Sequence, residues 1–128
     1  MEFTIQQQRA KKALNAVQAL RVTLNIEKQK EFISYANSLP AMIHMNGLGQ
    51  AMAFYKMKGK EPGAYAELYN LVSDWLCRTG QPYQGKQDVL TGITQCDMHQ
   101  YQLAQAETLV FMSWVKKFAK AFLAEEGQ

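Results

Sequence analysis

Two histidines and two cysteines, His44, His99, Cys77 and Cys96, are the only imidazole and thiol side chains in this chain of 128 residues. None stands four positions from another, and neither C-x-x-C nor H-E-x-x-H occurs, so the spacing of a metal site is missing. No metal or cofactor is expected. A nucleophile–base pair has no local signature either, because Cys77 sits beside Trp75, a tryptophan with core spacing, and neither histidine lies in a recognisable motif. Gly47-Leu48-Gly49 is rich in glycine, but no strand precedes it and no P-loop lysine follows. It suits close backbone packing better than cradling a phosphate.

One carboxylate stands out. Glu107 falls inside the apolar arc of a long helical segment, where an isolated charge is costly. Arg9 is similarly misplaced at the edge of the apolar side of the first helix. A bidentate pair between them would join the two ends of the chain. Another buried hydrogen-bond partner for Glu107, or a role as general base, are the alternatives.

The remaining chemistry is cationic. Lys116, Lys117 and Lys120 cluster on one arc of the last helix, Lys56, Lys58 and Lys60 line the end of another, and Lys11 and Lys12 project from the first. These are either solvated cations well placed near helix C-termini or a surface for phosphate backbone. Net charge is only +3, but residues 1–60 hold nine Lys or Arg against three acids and residues 61–100 hold two against five. That polarity suits an anionic partner or head-to-tail contacts between copies. The tyrosines and tryptophans sit mostly at core spacing, so base stacking is not indicated.

The elements that position these residues are helical throughout. Residues 97–124 open with Asp97-Met98-His99-Gln100, a D-x-x-Q capping box, and then run without proline or glycine. Their apolar members, Trp114 among them, cover more than half the helix circumference, which predicts a central helix packed from several sides. Thr4 can cap a first helix to about residue 24. A second follows over 26–37, and Ser38-Leu39-Pro40 predicts a stop and restart. A short helix over 40–46 meets Gly47 at a tight corner, and another runs from 48 to 59. Pro62 fits the first turn of a helix to about 79, and a weak helix over 86–94 leads into Asp97. No segment alternates with period two long enough for a strand. The expectation is an all-α single compact domain, 1–128, of six or seven helices around a long C-terminal one.

No stretch approaches the ~18 apolar residues that span a bilayer. Met1-Glu2-Phe3-Thr4 does not begin a secretory signal, and two isolated cysteines suit a reduced interior, so a cytoplasmic setting without membrane contact is expected.

Three segments, in order, resemble one family. Gln8-Arg9-Ala10 opens the first helix. Leu39-Pro40-Ala41-Met42-Ile43 is followed by Asn46-Gly47-Leu48-Gly49-Gln50-Ala51-Met52-Ala53-Phe54. Tyr101, Glu107 and Trp114-Val115-Lys116-Lys117-Phe118-Ala119 complete the set. Together they resemble the small helical subunit of the Cmr complex, the type III-B CRISPR RNA-silencing effector. Residues 61–100 match only in length and helical character, and the tyrosine and methionine after Ala53-Phe54 depart from the smaller or more polar residues of the pattern.

The resemblance implies a non-catalytic ribonucleoprotein subunit for antiviral defence. Its copies stack beside backbone subunits that hold the guide RNA and form a groove for guide and target RNA. Its partners would be other Cmr subunits, further copies of itself, and the guide–target hybrid. Arg9, Lys116 and Lys117 carry over as basic residues of the family pattern, with RNA contact as the implied role. Two rivals stand beside it: a free-standing helical DNA-binding regulator, supported by the Asn46-Gly47 corner, and a scaffold that binds only protein.

Overall fold

The computed structural model describes residues 2–125; Met1 and residues 126–128, which enter the readings of the two chain ends above, lie outside the described residues. The chain forms five α-helices, α1 (Ile5–Thr23), α2 (Ile26–Lys58), α3 (Ala64–Leu76), α4 (Val89–Gln95) and α5 (Met98–Phe122), with no strand among the described residues. The all-α expectation holds, but the count of six or seven does not. The expected segments over 26–37 and 40–46 are one continuous run through Pro40, while the expected corner at Gly47 is present as a kink inside α2, where the backbone leaves helical geometry before the run from Leu48.

Pro40 fails to stop the helix because tertiary packing outweighs its local cost. A proline inside a helix removes one hydrogen bond and costs about 3 kcal/mol. Its neighbours Ala36, Leu39 and Ile43 are all buried in the core, and burying a Leu or Ile stabilises by roughly 1.5–3 kcal/mol each. Keeping that stripe in register needs an unbroken helix across Pro40.

Gly47 is different. Its φ of 85° and ψ of 160° lie in a region that L side chains avoid. The bend frees the amides that follow it, and α5 answers them. Leu48 N–H donates to Gln105 Oε1 at 2.9 Å and Gly49 N–H donates to the Tyr101 hydroxyl at 2.9 Å. An added Cβ at Gly47 would come within 3.0 Å of the same Tyr101 oxygen. The corner is therefore both a backbone requirement and the docking point of α2 on α5.

Helix ends follow the sequence closely at α1, where Thr4 and Gln7 form a complete capping box. At α5 only half of the expected box exists. Asp97 accepts from Gln100 N–H at 3.0 Å, but the Gln100 side chain donates to the Pro82 carbonyl at 2.8 Å and so ties the 81–85 loop to α5. Gln29, buried at the start of α2, donates to the carbonyls of Arg21 and Leu24 and accepts from Ala124 N–H. One amide thereby closes the C-terminal end of α1 and holds the chain beyond α5.

The core joins residues of every helix, with Trp75, Tyr55, Tyr83, Phe32 and Phe111 its largest fully buried side chains. α5 packs chiefly on α1 and α2 and also touches α3. Its buried residues, Ala104, Thr108, Phe111, Met112, Val115 and Ala119, form one stripe. Leu103 and Val110 are 44% and 38% exposed, so the wide apolar arc is not wrapped on all sides. α2, with 33 residues, is the longest helix and has contacts with α3, α4 and α5.

Candidate nucleic-acid interface

Arg9 and Glu107 meet. Arg9 Nε donates to Glu107 Oε2 at 2.7 Å and its terminal nitrogen donates to Oε1 at 2.8 Å, with side-chain exposures of 13% and 12%. A third donor was not read from the sequence: Trp75 Nε1–H reaches Glu107 Oε2 at 2.8 Å. A buried indole N–H calls for an acceptor, and that requirement was the available signal. The hydrogen bond that Arg9 donates to Glu107 raises the Arg9 pKa above its ordinary value against the opposing effect of burial. With three hydrogen bonds accepted, Glu107 serves as a junction of α1, α3 and α5 rather than an exposed base.

Trp75 carries this junction further. Its ring stacks on Phe111 at 5.0 Å between centroids, and the Arg78 guanidinium lies 4.8 Å from its ring centre. Trp114 is half-buried on α5 and donates its indole N–H to Gln6 Oε1 at 3.0 Å, a second tie to α1.

The expected lysine clusters are distributed unevenly. Lys117 and Lys120 are exposed and Lys116 is half-buried. Lys117 lines a shallow hollow of about 240 Å³ with Gln6, Val110, Ser113 and Trp114, and its Nζ lies 3.5 Å from Ser113 Oγ. The other trio does not form one face. Lys56 leans on α3 with Nζ 5.0 Å from the Tyr69 ring centre, whereas Lys58 folds onto Phe54 at 5.7 Å. Lys60 is exposed in the turn after Gly59.

Lys56 also belongs to a local network around the cap of α4. Asp88 accepts from Thr91 N–H at 2.9 Å and from the Tyr69 hydroxyl at 3.0 Å. Burial alone would raise the Asp88 carboxyl, but hydrogen bonds from Thr91 and Tyr69 and the charge of Lys56 hold it below its ordinary value. Burial in turn pushes the Tyr69 hydroxyl up to about 12, with the hydrogen bond to Asp88 adding to it.

The fold brings Arg78 to the cations in the N-terminal half of α1, a partner that no sequence spacing indicates. Gln8, Lys11, Lys12 and Asn15 lie on one helical face, and with Phe3 they line an open hollow of about 390 Å³ whose further wall is Arg78. Among the described residues, no group of three or more His, Cys, Asp and Glu side chains gathers where it could hold a metal ion. No helix of the described residues is long and apolar enough to cross a membrane.

The profile of the CRISPR-associated protein family Cas_Cmr5 matches residues 5–122, from the first residue of α1 to the last of α5. The chain belongs to the Cmr5 family. It is 28% identical over 113 residues to the CRISPR system Cmr subunit Cmr5 of Thermus thermophilus, a match covering 88% of this chain and 93% of that protein. The crystal structure of a CRISPR-associated Cmr5 family protein from the same organism superposes with a TM-score of 0.73 at 27% identity, over 94% of this chain and 99% of that one. The matched range, residues 5–122, includes Gly47, Arg9, Trp75 and Glu107 and the lysines of α1, α2 and α5.

Proposed function

We propose that this Cmr5 family member is a non-catalytic small subunit of a type III-B CRISPR effector. In this reading it stacks along the subunits that carry the guide RNA and helps hold target RNA through its basic surfaces. The observation that carries the proposal is the family match over residues 5–122, which spans every helix. The charge distribution supports it: exposed Lys117 and Lys120 at the end of α5 offer point charges to phosphates and no base-reading geometry. The carboxylate with the strongest claim to chemistry, Glu107, is occupied by Arg9 and Trp75.

A free-standing DNA-binding regulator is less well supported. The backbone that follows the half-buried Gly47 is engaged by Gln105 and Tyr101 of α5, which docks this corner within the fold instead of freeing it as a recognition helix. Recovery of the tagged protein from its host tests the proposal. Co-purification with a large RNA-containing assembly of other Cmr subunits is the expected result. Recovery of the chain alone, or with protein partners but no RNA, would contradict it.

A further inference from the structure

We infer that the hollow between α1 and the end of α3 is a second nucleic-acid site, taking a phosphodiester of single-stranded RNA between Lys11, Lys12 and Arg78. The inference rests on the RNA-binding reading above and adds a location for it.

The site is assembled by the fold from residues 66 or more positions apart, and its charges converge. Lys11 and Lys12 come from one face of α1, and Arg78 from just beyond the end of α3. Among the described residues, none of the three has a carboxylate oxygen within 4.0 Å. Three like charges around one concavity repel each other, and an anion placed among them relieves that repulsion. Arg78 is also held in place. Its guanidinium lies over Trp75, which is itself fixed by Phe111 and Glu107. A cation positioned in this way loses little freedom on binding.

An aromatic ring beside the cations favours nucleic acid over an acidic peptide. Phe3 is 54% exposed, with Lys11 Nζ 5.6 Å from its centre. Gln8 donates its side-chain amide to the Phe3 carbonyl at 3.1 Å and so anchors the backbone that carries the ring. An open ring next to phosphate-binding cations is the arrangement that stacks a base while the groove tracks the backbone. Beyond Lys12 the cleft turns acidic, with Glu67 and Asp74 lining the adjoining hollow. An RNA strand would therefore cross at the Lys11–Arg78 end and not run along the cleft.

The test titrates fluorescent oligouridylate into the full chain over a salt series, comparing the native protein with Lys12→Gln/Arg78→Gln. Loss of two phosphate contacts on a single strand should reduce the slope of log K against log salt by about 1.4. Amide NMR of the native protein with the same oligonucleotide gives a reading that does not depend on the variant folding. Shifts at Phe3, Lys11, Lys12 and Arg78 are expected. Asp74→Asn, which removes one of the two carboxylates at the acidic boundary, should tighten binding. If the native protein binds RNA but the slope is unchanged in the variant and these amides do not move, the site is wrong and the broader RNA reading stands. If the native protein binds no RNA at any salt, both fall. If oligouridylate leaves these amides unmoved while polyglutamate shifts them, the occupant is an acidic protein segment and the RNA assignment is overturned.

Discussion

Arg9 on α1 and Glu107 on α5, 98 positions apart, are joined by hydrogen bonds of 2.7 and 2.8 Å, and Trp75 of α3 donates to the same carboxylate at 2.8 Å. Three helices are thus fastened at one partly buried charge. Removing one member of such a pair strands the other and typically costs ~3–5 kcal/mol. Glu107→Ala should lower thermal stability by that order, because both Arg9 and the Trp75 N–H lose their acceptor. The double variant Arg9→Ala/Glu107→Ala should cost less than the two single losses added together, read as a coupling energy in a double-mutant cycle. Additive losses would mean that the two side chains do not interact in solution.

Gly47 makes a sharper prediction about the corner. Its φ of 85° and ψ of 160° disfavour a side chain on backbone grounds, and an added Cβ would stand only 3.0 Å from Tyr101 Oη. Gly47→Ala should cost roughly 1–3 kcal/mol from strain, and Gly47→Val more. Tyr101→Phe removes the acceptor of Gly49 N–H and should cost ~1 kcal/mol or somewhat more. Denaturant midpoints measure both. A Gly47→Val protein with native stability but no partner binding would mean that the corner is a contact surface instead of a structural joint.

These two joints were not equally legible in the sequence. Arg9 and Glu107 could be paired because each violated the polarity of its own helix. Trp75 was hidden among residues of ordinary core spacing. Pro40 misled because local backbone rules favour a break there, whereas Ala36, Leu39 and Ile43 bury their side chains on a continuous helix. Gln100 was expected to cap its own helix and instead reaches Pro82, a competition between local and tertiary acceptors that no local motif can decide. The lysine clusters were legible only as composition. Whether Lys56 and Lys58 share a face depends on Tyr69 and Phe54, which lie on different helices. The Lys11–Lys12–Arg78 hollow depends on how α3 ends against α1, information carried by the packing and not by any short stretch.

The buried tyrosines set the alkaline limit of stability. Burial raises the hydroxyls of Tyr69 and Tyr83 from 10.0 to about 12. A folded-state pKa above the unfolded value means that the contribution is complete below about pH 10 and is lost as pH rises towards 12. Stability should therefore be insensitive to these groups at neutral pH and decline between pH 10 and 12. Phenolate absorbance should rise together with unfolding. Ionisation of these tyrosines near pH 10 with the fold intact would contradict their burial.

Lys56 and Lys60 should separate by role. Lys56 lies over Tyr69 and helps hold Asp88 ionised at the cap of α4, so Lys56→Gln should lower stability by a few tenths of a kcal/mol, in the range of an exposed charge pair. Lys60→Gln should leave the melting temperature unchanged. The reverse order would show that Lys56 is not engaged within the chain.

The most direct test of the functional account is target-RNA capture by an assembled Cmr complex carrying Lys116→Glu/Lys117→Glu/Lys120→Glu in this subunit. Each copy offers few phosphate contacts, so useful affinity arises when several copies line up on one strand and each acts at high effective concentration beside its neighbour. Reversing three charges per copy should weaken capture at near-physiological salt and reduce its salt dependence, with assembly and melting temperature preserved. Unchanged capture by a fully assembled triple variant would contradict an RNA-binding role for the α5 face and favour a scaffold that contacts only protein there.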